Sequence, residues 1–104
     1  MLRVEMHDSI NALIIKVDGP FALETAEHLR ALIALCRVPM RVLIDVTEIA
    51  SIETTAEAVL FGLAKVGYRF IADAPHAMEI CRRLHLPLAR RASRTLARAR
   101  GYQP

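Results

Sequence analysis

Residues 41–67 read RVLIDVTEIASIETTAEAVLFGLAKVG, and the order of side-chain types in this stretch decides the fold class. Val42-Leu43-Ile44 is an apolar run ending on Asp45, too short for a helix and too apolar for a strand with a wet face. It predicts a buried strand over Val42–Val46. A loop rich in hydroxyls and carboxylates follows, and an amphipathic helix starts at Thr54 or Thr55. Val59, Leu60, Leu63 and Val66 are its expected inward positions and Gly67 its stop. A buried strand feeding a helix is the unit of an α/β sheet. In such sheets, functional groups collect outside the carboxyl ends of strands, beside helix N-termini. A working site is therefore expected between Asp45 and Glu57.

On the N-terminal side, Leu2, Val4 and Met6 alternate with Arg3, Glu5 and His7, the period of an edge strand. Ser9-Ile10-Asn11 supplies a turn. Residues 12–17, ALIIKV, form a second and more central strand, ended by Asp18-Gly19-Pro20. A helix over 22–36 places Ala22, Ala26, Leu29, Ile33 and Cys36 on one face, and Pro39 marks its exit. After Gly67, residues 68–72 read as a fourth strand. Asp73-Ala74-Pro75 opens a third helix with Ala77, Ile80, Cys81 and Leu84 inward. The expected order is β-β-α-β-α-β-α with a final helix over 88–100. This gives a single small α/β domain with a mixed sheet of four strands, or five, joined by right-handed crossovers. Residues 1–87 form its body, and 88–104 are an Arg-rich C-terminal helix expected to dock on it.

The chain of 104 residues is long enough for one core and short enough to have only one. Its 54% hydrophobic and 24% charged residues fit a soluble globular protein and oppose disorder. No apolar run approaches a membrane span, and MLRVEMHDS alternates in polarity where a signal peptide would run basic and then apolar. Two cysteines, Cys36 and Cys81, are too few for a disulfide framework. They read as reduced packed thiols of a cytoplasmic protein. Charge is unevenly placed. Residues 1–79 carry seven Lys/Arg and all eleven acids, whereas 80–104 carry seven Arg and no acid.

Thr54-Thr55-Ala56-Glu57 has the spacing of a capping box, in which a Thr hydroxyl and the Glu carboxylate satisfy each other's amides. A hydroxyl at an exposed helix start is also accessible to a kinase, and a phosphate there would meet free amides and the positive end of the helix dipole. Asp45-Val46-Thr47 followed by Glu53-Thr54-Thr55-Ala56, after a hairpin and a helix, resembles the STAS domain. That family is named for sulfate transporters and anti-sigma-factor antagonists. Its hallmark is an apolar strand ending Asp-Leu/Val-Ser/Thr, then a short loop to an Asp-Ser-Ser-Gly-like motif that opens a helix. The hydrophobic spacing is similar from about Val4 to Leu86. Asp18-Gly19-Pro20 looks like the loop after the family's second strand.

What the resemblance implies is a non-enzymatic interaction module, an anti-sigma-factor antagonist of a bacterial partner-switching pathway that regulates transcription. Its partner would be an anti-sigma-factor kinase or a related regulator. The family's phosphoacceptor hydroxyl falls on Thr54, with Thr55 and Ser51 as alternates. Glu53 stands in place of Asp, and Ala56 in place of Gly. Asp45, Thr47, Glu53, Thr54, Thr55 and Glu57 would form the partner-binding surface. The alternative is a ligand-binding or structural interaction domain whose Thr54 only caps a helix. A homodimer is open.

In the Arg-rich end, Leu88, Ala92, Leu96 and Ala99 share one face and Arg90, Arg91, Arg94 and Arg98 the other. This basic surface is expected to be solvated or docked. The remaining alternative, a nucleic-acid-associated protein, lacks a stacking platform, since Tyr102 is the only aromatic in the segment. His7, His28, His76 and His85 are scattered without metal-ligand spacing, and the four glycines form no phosphate loop. No Ser or Cys sits in a recognisable nucleophile setting. No metal, cofactor, membrane contact or catalysis is expected.

Overall fold

The structure is a computed structural model that describes residues 2–7, 12–36 and 41–89. Strand β1 (Leu2–His7) pairs antiparallel with β2 (Ala12–Phe21), from Leu2 opposite Val17 to His7 opposite Ala12. Helix α1 (Leu23–Leu35) crosses to β3 (Arg41–Ile52), which lies parallel to β2. Helix α2 (Thr54–Lys65) crosses to β4 (Arg69–Ile71), parallel to β3, and α3 (Pro75–Leu84) follows. The sheet order is β1-β2-β3-β4. Both crossovers step the same way across the sheet, so the right-handed rule puts their helices on one face.

The main core lies on that face. Ile15, Val17 and Phe21 of β2, Ile44, Val46 and Ile49 of β3, and Phe70 of β4 are buried there. They pack with Ala26, Leu29 and Ile33 of α1, Leu60 and Leu63 of α2, and Ala77 and Cys81 of α3. Burying each large side chain stabilises the fold by roughly 1.5–3 kcal/mol. The sequence expectation for the inward faces needs three changes. Ala56 lies in the core while Val59 is half-buried and Val66 is 72% exposed, because α2 turns its Ala56-Leu60-Leu63 stripe to the sheet. Ala22 and Cys36, at the ends of the expected α1 face, are half-buried and lie just outside the helix. Ile80 and Leu84 are half-buried at the edge of the core.

Two strands run further than their sequence suggests. Asp18-Gly19-Pro20 does not end β2, and Thr47–Ile52 is not a loop. The two segments pair with each other, Asp18 opposite Glu48 and Phe21 opposite Ile52. Register shifts fall between Lys16 and Asp18 and between Gly19 and Pro20, and Gly19 takes φ +77°, a conformation that favours glycine. Ile49 and Phe21, both fully buried, carry the apolar side of this extension. The polar residues that read as a loop are the wet positions of a strand.

Helix α2 ends as expected at Gly67, with φ +109°. The Gly67 amide donates to Ala64 O and the Tyr68 amide to Leu63 O, the Schellman arrangement. Helix α3 ends on His85 in the left-handed region at φ 58°, with the Leu86 amide donating to Cys81 O at 2.8 Å.

Beyond α3 the expected final helix does not begin at Leu88. The Phe70 amide donates to Pro87 O (2.9 Å) and the Ala89 amide to Phe70 O (2.7 Å), which makes Leu88 a parallel bridge partner of Phe70. Pro87 biases Leu86 to extended backbone, and the free edge of β4 offers the hydrogen bonds. This short contact is a rudimentary fifth strand. The turn at residues 9–11, Pro39, the helix over 90–100, and Arg90, Arg91, Arg94 and Arg98 lie outside the described residues.

Cys81 is 1% exposed, and burial pushes its thiol up from 9.0 to about 11. The fold holds the protonated form, so this stabilisation is complete below pH 9 and is lost as pH rises towards 11. The denaturation midpoint of the native chain should fall across that window, and fall less in Cys81→Ala. Equal falls in both proteins would place the pH sensitivity on another group.

Candidate functional site

The junctions β2–α1 and β3–α2 lie side by side because their strands pair to the last residue. Glu53 joins them. Its amide donates to Phe21 O (3.1 Å), and its carboxylate Oε1 accepts from the Leu23 amide (3.2 Å). Leu23 is the first residue of α1, whose N-cap, Ala22, has no side chain able to cap. A carboxylate from the neighbouring junction thus supplies the missing acceptor and complements the α1 dipole.

The capping box expected at Thr54 does not form. Glu53 occupies the N-cap of α2, Thr54 is the first helical residue, and no side chain caps that helix. The Ala56 and Glu57 amides donate to Glu53 O at 2.9 and 3.1 Å. The Glu57 carboxylate turns instead to α3, where Arg83 Nη2 lies 3.0 Å from its Oε2. Thr54 and Thr55 are both exposed, and so is Ser51.

Thr54 opens onto a groove between α2 and α3 of about 350 Å³, lined by Glu57, Ala58, Phe61, Arg83, Leu84 and His85. Phe61 is 46% exposed, and Lys65 Nζ sits 5.6 Å from its ring centroid. Sequence reasoning missed Phe61, Arg83 and His85. A signal for Phe61 was present: an aromatic off the Ala56-Leu60-Leu63 stripe has no core to enter. Nothing local announces Arg83, which reaches Glu57 only because α3 packs beside α2.

The other expected surface residues lie elsewhere. Asp45 Oδ1 accepts from the Thr47 amide (3.0 Å), and Thr47 Oγ1 accepts from the Asp73 amide (3.0 Å). Nearby, a ring N–H of His76 donates to Ile49 O (2.9 Å), tying the first turn of α3 to β3. Thr47 and Glu53 are six strand residues apart, on the order of 20 Å. The fold therefore groups Glu53, Thr54, Thr55 and Glu57, and separately groups Asp45, Thr47 and Asp73. Among the described residues, no three His, Cys, Asp or Glu side chains are placed to hold a metal ion. No described helix is long and apolar enough to cross a membrane.

Since Glu53 caps α1 and Thr54 caps nothing, their truncations should differ. Glu53→Ala should cost about 1 kcal/mol in chemical denaturation. Thr54→Ala should stay within about 0.5 kcal/mol of the parent. A larger loss at Thr54 than at Glu53 would reverse the assignment.

No family model matches the sequence, and no curated protein matches it. Solved structures do. One is an uncharacterised protein of the DUF3478 family with a SpoIIAA-like fold from Shewanella loihica PV-4. It has a TM-score of 0.55 and 20% identity over 79% of this chain and 73% of that one. Another is the anti-sigma factor antagonist SpoIIAA in its unphosphorylated form, with a TM-score of 0.61 and 16% identity over 100% of both chains. At such identities the likeness is one of fold. The chain has the SpoIIAA-like fold.

Proposed function

We propose that this chain is a non-enzymatic, cytoplasmic interaction module of the anti-sigma-factor-antagonist kind, whose docking surface is the start of α2 and the groove beside it. The observation that carries this reading is the state of Thr54. Its hydroxyl is exposed at the first position of a helix, free of a capping role, and next to an apolar groove with a half-exposed Phe61. A hydroxyl that the fold does not use can be modified without unfolding the domain.

The partner in this proposal is an anti-sigma-factor kinase or a related regulator that buries Phe61 and Ala58 and phosphorylates Thr54. Phosphorylation adds roughly two negative charges and three acceptor oxygens. Glu53 and Glu57 already give the site negative charge, and the added repulsion at a desolvated contact would release the partner. Thr55 and Ser51 are the alternate acceptors, both exposed on the same junction.

Thr54→Glu should weaken partner binding by at least about tenfold, whereas Thr54→Ala should bind like the parent. Calorimetry with candidate regulators, with and without ATP, reads both. Equal affinities for the two variants would remove the switch and leave a plain interaction domain. Phe61→Ala should weaken binding whether or not the switch exists, which separates the groove from the phosphoacceptor.

A further inference from the structure

The groove beside Thr54 has walls from two helices. Thr54, Glu57, Ala58 and Phe61 belong to α2, and Arg83, Leu84 and His85 to the end of α3. Among the described residues, one ion pair crosses it, with Arg83 Nη2 3.0 Å from Glu57 Oε2. The Arg83 side chain is 53% exposed, so this pair contributes little to stability. Its effect is to hold a cation in place. Thr54 and Glu57 are three residues apart on one helix, which brings their Cβ atoms to about 5–6 Å. Helical side chains lean towards the N-terminus, so the Glu57 carboxylate lies over the turn that Thr54 opens. The guanidinium bonded to that carboxylate is thereby held on the Thr54 side of the groove.

We propose that Arg83 binds the phosphate on Thr54, and that this contact ties α2 to α3 across the mouth of the groove. The inference rests on the phosphorylation of Thr54 proposed above and names the group within the domain that answers it. Glu57 engages Arg83 through Nη2, which leaves the other N–H donors of a planar fork for a second anion. That fork matches the spacing of phosphate oxygens, and a phosphate carries more charge than the carboxylate already there. Arg83 is half in water, so turning towards Thr54 breaks no packing in the core. Arg82, the adjacent cation, is bonded to Glu79 on its own helix and does not line the groove.

The contact adds a second effect to the charge. A partner side chain seated between Phe61 and Leu84 and a phosphate bonded to Arg83 compete for the same opening. The bridge also leaves the site acidic. Glu53, Glu57 and Arg83 together carry one negative charge before modification, and the phosphate adds roughly two more. Closing the groove and charging its mouth act in the same direction, against the bound partner.

The test uses the full chain, with and without phosphothreonine incorporated at Thr54, and needs no partner. Urea unfolding is followed for the parent, Arg83→Gln and Arg82→Gln in both forms. Arg83→Gln should raise the unfolding equilibrium constant by a factor at least about fivefold larger in the phosphorylated chain than in the unmodified one. Arg82→Gln should raise it by the same factor in both. In NMR spectra at constant pH, the Arg83 Nε–H signal should move on phosphorylation while that of Arg82 stays in place. Equal factors for Arg83→Gln in the two forms, or an equal excess for Arg82→Gln, overturns the proposal. The reading of Thr54 as a switch fails separately. Coupling of Arg83 to the phosphate beside equal partner affinities of Thr54→Glu and Thr54→Ala supports this contact and removes the switch. No coupling beside a weakened Thr54→Glu overturns the contact and leaves the switch to charge repulsion.

Discussion

The parallel pairing of β2 with β3 beyond Gly19-Pro20, to Phe21 opposite Ile52, is the constraint on which the other features rest. Had the strands ended at Val17 and Val46, as their apolar runs suggest, α1 and α2 would start from separate loops. Because the ladder continues, the two helix starts emerge side by side. One residue, Glu53, can then bond the end of one strand through its amide and the start of the next helix through its carboxylate. A single side chain stands in for the N-cap that Ala22 cannot provide. Glu reaches one methylene further than Asp would, and here that reach ends on the Leu23 amide.

The same ladder divides the polar residues into two groups. With Thr47–Ile52 extended rather than looped, Asp45 and Thr47 stay at the level of Asp73, while Glu53 to Glu57 are carried about 20 Å along the strand direction. The first group fastens the middle of β3 to the residues that follow β4. The second stands at the end of the domain beside an open groove. A partner that contacts Thr54 therefore meets α2 and α3 before it meets Asp45.

The order of elements was legible because each rests on local periodicity or on one strong punctuation, such as Gly67 after α2 or Pro75 at the start of α3. The helix-facing core was legible at Leu29, Ile33, Leu60 and Leu63 for the same reason. The length of β3 was not. Glu48, Ala50 and Ser51 carry no strand propensity, and only pairing with β2 decides their conformation. The capping box failed on a one-residue shift. Thr54 has the right neighbours, but strand pairing through Ile52 leaves Glu53 as the last non-helical residue, and Arg83 on α3 captures the Glu57 carboxylate. Both failures come from contacts distant in sequence. The bridge at Leu88 is a third, since the edge of β4 that recruits it is invisible from 86–89 alone.

In the proposed switch, the same geometry determines what a phosphate at Thr54 can do. The start of α2 has no side-chain cap, so the phosphate would gain the positive end of the helix dipole, worth about 0.3–1 kcal/mol at an exposed position. Against this stand two carboxylates. Glu53 is held by the Leu23 amide and Glu57 by Arg83, and neither is free to swing away without breaking a bond. The attraction and repulsion are of similar size within the domain, so modification need not unfold it. At a contact from which water has been expelled, the balance changes. The helix dipole is fixed and already satisfied, whereas added negative charge must be desolvated against the partner, and the unpaired cost of burying a charge exceeds any dipole term. A switch built this way acts through the interface alone, with the fold of the domain the same in both states.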